Sequence, residues 1–358
     1  MVWRYGLKLG YNKTLRCASD LVLAGIIAQD AQSDIETVSN RYAIAIPPIM
    51  TALIDKTNSY DPIAKQFVPS TQELITTPNE LIDPIGDKTR SPVKGIIHRY
   101  PDRVLLKLLH TCPVYCRFCF RREVVGPNGD GTLDALQQQA ALEYIASNPQ
   151  IWEVILTGGD PLMLSPRRIQ NAMEMLGSID HVKIIRWHTR VPIVTPDSIT
   201  DEMLTALETG NKTTYIAIHA NHPREFTPAA CNAILRLRGA KMILVSQTVL
   251  LKDINDDADT LEKLMRCFVE NGIKPYYLHH ADLAPGTSHF RTSITKGQNL
   301  MRILQGRLSG LCLPSYVLDI PGGFGKAPIG PDYAVENQDG SWQITDYNGK
   351  EHVIQNIS

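Results

Sequence analysis

The chain has 358 residues, 43% of them hydrophobic, which suits one large α/β unit with extensions. With 36 Lys and Arg against 37 Asp and Glu, the formal net charge is -1, which leaves no basic field for nucleic acid or an anionic membrane surface and makes a small molecule the expected partner. No run approaches the ~18 apolar residues of a membrane span, and 7 cysteines, an odd count with three clustered, do not read as a disulfide framework.

The first stretch, "MVWRYGLKLGYNKTLRCASDLVLAGIIAQDA", sets scattered cations before a short apolar patch, a faint signal-peptide likeness. Asp20 interrupts the patch and no clean small-residue cleavage site follows, so a cytoplasmic protein is expected, with a few leading residues that are not part of the fold. Residues 1–88 then carry Pro-rich pieces such as "AIPPIM" and "DPIAKQFVPS" and predict a largely helical or irregular N-terminal arm. From residue 103 an alternation begins. The apolar or β-branched runs "RVLLKLL", "WEVILT", "VKIIRW", "TTYIAI", "KMILVS", "KPYYLH" and "SYVLDI" predict strands buried on both faces. Between them lie helical stretches; in "DADTLEKLMRCFVENG" one stripe collects Leu261, Leu264, Met265, Phe268 and Val269, and Gly272 lies just past its end as a C-cap. This order predicts parallel βα units in an α/β fold, a partial (β/α) barrel over residues 89–335, followed by a C-terminal hairpin or tail over 336–358.

Such a barrel puts its functional groups at the C-terminal ends of its strands. In this sequence those ends carry, in order, three cysteines, "GGDP" from Gly158, "HTR" from His188, "HANH" from His219, then Gln247, "HHAD" up to Asp282, and Asp319 in "LDIPGGFGK". Any one of these polar residues could be no more than a helix cap. Seven in succession on one rim point to a site.

The cysteines stand at CxxxCxxC spacing in "HTCPVYCRFCFRREVVG", with Cys112, Cys116 and Cys119 as candidate metal ligands. A structural zinc site would need a fourth ligand, for which His110 is available. A 4Fe-4S cubane needs only three cysteines if its fourth iron is left to a small molecule. Cys17, Cys231, Cys267 and Cys312 read as isolated reduced thiols. Lys326, in a glycine-rich turn, reads as a surface lysine or as a Schiff-base lysine for pyridoxal phosphate. The phosphate-clamp spacing GxxxxGK[ST] is absent, because Ala327 follows it.

The CxxxCxxC loop, with Tyr115 and Phe118 inside it and a GGD sequence after the next strand, resembles the radical S-adenosylmethionine enzymes. More closely, "HRYPDRVLLK", "CPVYCRFCFRR", "LTGGDPL", "HANHPREF", "SQTVLLKDIND", "HFRTS", "SGLCLPSYVLDIPGGFGK" and "PDY" resemble the lysine 2,3-aminomutase family over residues 61–335. The resemblance implies a radical S-adenosylmethionine partial barrel and three cofactors: a 4Fe-4S cluster on Cys112, Cys116 and Cys119, S-adenosylmethionine, and pyridoxal phosphate on Lys326. It further implies that Gly158, Gly159 and Asp160 approach the methionyl amine, that His219, Asn221 and Gln247 lie near S-adenosylmethionine, and that Arg99, Tyr100 and Arg103 surround pyridoxal phosphate. Arg121 would hold the substrate carboxylate, and Asp282 with Asp319 the ε-ammonium of L-lysine. The implied reaction is a 2,3-amino shift, an isomerisation, in which hydrogen leaves the β-carbon, nitrogen moves from C2 to C3 and hydrogen returns. An electron donor such as flavodoxin or ferredoxin is implied as a partner. No cysteine follows Cys312, and Asp257 stands where the longer members of the family have a further zinc ligand, so no structural zinc is expected and homo-oligomer formation stays open. A shorter branch of the family makes (R)-β-lysine for elongation factor P, and the length of this chain also fits that branch. A non-catalytic iron–sulfur redox protein would leave Lys326, Arg121 and the paired aspartates unused.

Overall fold

The structure, a computed structural model, describes residues 12–126, 129, 131–208 and 210–355. Residues 1–11 of the signal-like stretch lie outside the described residues, and its apolar patch forms the short helix Ala18–Leu23. One 9-stranded sheet organises the chain, its strands following one another in sequence order: β1 (Ile96–Tyr100), β2 (Arg103–Leu109), β3 (Glu153–Gly158), β4 (Ile184–Thr189), β5 (Thr213–His219), β6 (Ile243–Leu250), β7 (Lys274–His280), β8 (Ser315–Ile320) and β9 (Gly325–Pro328). From β2 to β8 every pairing is parallel. The two edges are antiparallel, β1 on β2 and β9 on β8. All seven runs predicted as strands from β2 to β8 are strands, and the sheet curls into a nearly closed barrel.

Helices cover the outside because each has one apolar stripe to bury. In helix Ala258–Glu270, Leu261, Leu264, Met265 and Phe268 face the core. Asp257 starts that helix by accepting from Thr260 N at 2.8 Å, and Gly272 follows it at φ +73°, where an L side chain would be strained. Asp257 is therefore engaged as a helix cap in this fold.

The arm packs into the same core as the barrel: Leu15, Leu21, Ile46, Met50, Ile63 and Phe67 are all buried with it. Its short helices, such as Pro62–Phe67 with Asp61 capping Ile63 N and Ala64 N, are too short to persist alone and are held by burial. After β9 the chain forms a second sheet of three antiparallel strands, β10 (Ala334–Glu336), β11 (Trp342–Thr345) and β12 (Glu351–Ile354), where a hairpin or tail was expected. Among the described residues no helix is long and apolar enough to cross a membrane.

Candidate active site

A cavity of about 260 Å³ opens at the C-terminal ends of the parallel strands, and its wall includes Cys112, Cys116 and Cys119, Lys326 and both Asp282 and Asp319. The cysteine loop follows β2 directly and is fixed from outside the barrel. Tyr115 N donates to Ala45 O at 3.2 Å and Arg117 N to Gln66 O at 2.9 Å, both in the arm. The arm also supplies Glu73, fully buried, which takes two hydrogen bonds from Arg117 Nε at 2.9 and 3.0 Å and a further short one from Arg122. Two arginines outweigh the cost of burying that carboxylate and hold its pKa below the ordinary range.

Gly158 and Gly159 allow β3 to close on this loop. A Cβ on Gly158 would meet Leu109 O at 2.6 Å, and one on Gly159 would meet Thr111 O at 2.2 Å. Gly159 N and Asp160 N donate to Leu109 O and Thr111 O at 2.7 and 2.9 Å. Gly159 and Asp160 reach the cavity, whereas Gly158 packs against Leu109 and Lys107 and does not line it. Asp160 is spoken for within the protein, accepting from Thr189 Oγ1 at 2.7 Å, Arg190 N at 2.6 Å and Leu162 N at 3.1 Å.

Around Lys326 three expected residues converge. The Tyr100 hydroxyl accepts from Lys326 N at 2.6 Å, and the Arg103 guanidinium stacks 3.7 Å from the Tyr100 ring. Arg99 donates to Ile85 O at 2.7 Å and to Asp87 at 3.2 Å, and lies 3.9 Å from Asp319. The register of β9 on β8 sets Lys326 opposite Asp319, and Lys326 Nζ donates to both its carboxylate oxygens at 2.6 and 2.8 Å. The aspartates were expected to wait together for an incoming cation. Asp319 instead already has one, because an antiparallel edge strand brings the lysine back across it.

Asp282 has no such partner among the described residues. Burial, with the Asp319 charge nearby, pushes it up to about 7, whereas His279 and Lys326 hold Asp319 well below the carboxylate range despite its burial. Arg121 donates Nε to Asp87 at 3.0 Å. His219 and Gln247 line the cavity, but Asn221 is fully buried behind it, its Oδ1 accepting from Val249 N at 2.9 Å and from His219 Nε2 at 3.1 Å. Asn221 orients His219 instead of facing a ligand. Burial keeps His188 and His219 far below the ordinary histidine range, so both are neutral imidazoles. Nothing in the sequence marks Asp87, which ties Arg99 to Arg121; His279, the first residue of the "HHAD" rim segment, has its Nδ1 3.6 Å from Asp319.

A barrel of parallel strands with three thiols on the loop after its first parallel strand defines a radical S-adenosylmethionine enzyme, and the family profile described as Radical SAM superfamily matches residues 106–267. The L-lysine 2,3-aminomutase of Acetoanaerobium sticklandii is 39% identical over 306 residues, 86% of this chain and 73% of that protein. That of Fusobacterium nucleatum is 40% identical over 293 residues, 82% and 68%. The glutamate 2,3-aminomutase of Clostridioides difficile is 34% identical over 316 residues, 88% and 74%. The chain belongs to the lysine 2,3-aminomutase family of isomerases.

That family uses a 4Fe-4S cluster, S-adenosylmethionine and pyridoxal phosphate, and the residues present fit all three. Burial raises the three thiols, Cys119 up to about 11, so they stay neutral until a cationic metal centre joins them. Among the described residues no three His, Cys, Asp or Glu side chains converge on one ion; in a cubane each protein ligand takes a different iron, so convergence is not required. Arg99, Arg103, Arg121, Arg186, Arg190 and Lys326 on the cavity wall outnumber Asp160, Asp282 and Asp319, which favours an anionic group. Arg99 Nε is buried with no hydrogen-bond partner among the described residues, leaving a donor for a phosphate.

Proposed function

We propose that this chain interconverts L-lysine and β-lysine. The observation that carries the reading is the placement of two carboxylates, Asp282 and Asp319, in one cavity with Lys326 and the three cysteines. In this reading Cys112, Cys116 and Cys119 hold the cluster, Gly159 and Asp160 with His219 and Gln247 border S-adenosylmethionine, and Lys326 with Arg99, Tyr100 and Arg103 holds pyridoxal phosphate. When bound, these groups supply a 5′-deoxyadenosyl radical and a carrier for the migrating nitrogen. The protein's own task is to orient and shield.

Arg121 takes the substrate carboxylate, its planar donors suited to two oxygens. Asp282 takes the ε-ammonium and becomes fully ionised as that cation arrives, since an opposite charge favours the carboxylate form. Asp319 shares it whenever Lys326 is engaged elsewhere. Glutamate would bring a third negative charge to this end and be rejected. A low-potential flavodoxin or ferredoxin is the electron donor in this account, the cytoplasm the compartment, and residues 89–335 the catalytic unit carried by the 1–88 arm, with 336–358 a C-terminal appendage.

The test is Asp282→Asn, assayed with lysine, glutamate and alanine. Loss of the charge-assisted contact should cost about 2–5 kcal/mol, lowering kcat/KM for lysine by orders of magnitude while leaving pyridoxal phosphate absorbance intact. Near-wild-type lysine turnover in this variant would refute lysine as the substrate.

A further inference from the structure

We propose that Arg190 sets the reduction potential of the cluster through a hydrogen bond to Cys116, with Glu225 limiting its effect. The inference rests on the reading that Cys112, Cys116 and Cys119 hold the cluster. Arg190 Nη1 donates to Cys116 Sγ at 2.8 Å. Its Nη2 donates to Gln66 Oε1 at 2.7 Å and to Glu225 Oε2 at 2.6 Å. The guanidinium also lies over the rings of Phe67 and Phe118, at 4.8 and 5.8 Å from their centroids. Only 5% of Arg190 and none of Glu225 is exposed. Each remaining oxygen contact of Glu225 is to a fixed donor: Asn221 N and His222 N at 2.9 Å and Gln66 Nε2 at 3.1 Å, all on Oε1.

The arginine therefore has one orientation. Gln66 comes from the arm, Arg190 from the end of β4 and Glu225 from the turn after β5, so three separate parts of the chain aim its donor at one sulfur. A fully buried ion pair that only stabilised the fold would be poor value, since apolar replacements often do as well. Its positive end facing a thiolate gives it an electrostatic use. When a 4Fe-4S cluster accepts one electron, negative charge builds on its sulfurs, and a hydrogen bond or cation at a ligand sulfur favours the reduced form. Low local polarisability strengthens the effect. The Glu225 carboxylate, on the far side of the guanidinium, opposes it, so the two residues pull the potential in opposite directions. Arg190 acts here through the sulfur and is a positioning residue.

The experiment is a mediated redox titration of anaerobically reconstituted protein with dithionite, followed by the electron paramagnetic resonance signal of the reduced cluster, with iron and sulfide content measured in every sample. Arg190→Lys should shift the potential down, because an ammonium cannot reach both Glu225 and Cys116 in the same geometry. Glu225→Gln should shift it up, because the guanidinium then acts uncompensated. The double replacement Arg190→Met with Glu225→Gln leaves no unpaired buried charge, guards against misfolding, and should also shift the potential down. Potentials equal to wild type in all three, or shifts in one common direction, would overturn the inference. A wild-type protein with no reducible cluster would instead fail the cluster assignment itself.

Discussion

Asp282 gives the site its pH signature. With its carboxyl pushed up to about 7, it is largely neutral below that pH and cannot pair with an ammonium. Lysine affinity, followed by the change in cofactor absorbance on binding, should therefore strengthen as pH rises through about 7 and then level off, and Asp282→Asn should bind weakly without that step. The same group works the other way on the ligand-free fold. A raised carboxyl pKa contributes stability that is present at low pH and lost as pH rises through about 7, so the variant should show a flatter dependence of Tm on pH over that window. Lys326 makes a second residue-scale test: Lys326→Ala should give protein without the near-visible absorbance of lysine-bound pyridoxal phosphate, while its cluster content stays that of wild type. These residues were legible because their chemistry is rare and local: three cysteines within eight positions, and a lysine in a glycine turn. Asp87 and Glu225 were not, since Asp87 joins Arg99 and Arg121 from 12 and 34 positions away and Glu225 meets Arg190 from 35 positions away. A lone carboxylate in a loop has no signature of its own.

At the scale of elements, the turns do the placing. Lys326 faces Asp319 because the Pro-Gly-Gly turn returns β9 along β8, and that turn is seated against the arm at Gly86. A Cβ on Gly86 would come within 2.4 Å of Gly323 N, and its φ of +68° already disfavours a side chain. Gly86→Ala should therefore displace the turn at a cost of about 1–3 kcal/mol, visible as a lower Tm together with weaker retention of pyridoxal phosphate. A drop in Tm with unchanged cofactor affinity would mean the turn does not position Lys326. The seven parallel strands were readable from their continuous apolar runs, because a strand covered on both faces has no polar alternation to obscure it. The edge strands were not readable. β1 and β9 are short and half-covered, and "IIHRY" and "GKAP" carry no periodic pattern. The placement of Asn221 was unreadable for a related reason: sequence sets it beside His219, but only the packing of β6 shows its side chain oxygen accepting from Val249 N.

At the scale of the whole molecule, the arm completes the barrel. It lacked any recognisable period in the sequence, yet it delivers Gln66, Glu73 and Asp87, each bonded to an arginine of the site. Glu73→Ala would strand two buried arginines, Arg117 and Arg122, on the loop that carries the cysteines. It should cost about 3–5 kcal/mol of stability, measured by denaturant unfolding, and lower cluster content in the same preparation. The central claim is that the cysteine loop and the lysine strand serve one reaction on one substrate. The most direct measurement is to incubate the reconstituted, chemically reduced protein anaerobically with L-lysine, S-adenosylmethionine and pyridoxal phosphate, and to analyse the amino acids formed. The account predicts β-lysine from lysine and no β-glutamate when glutamate is supplied. Formation of β-glutamate, or S-adenosylmethionine cleavage with lysine left unchanged, would contradict it.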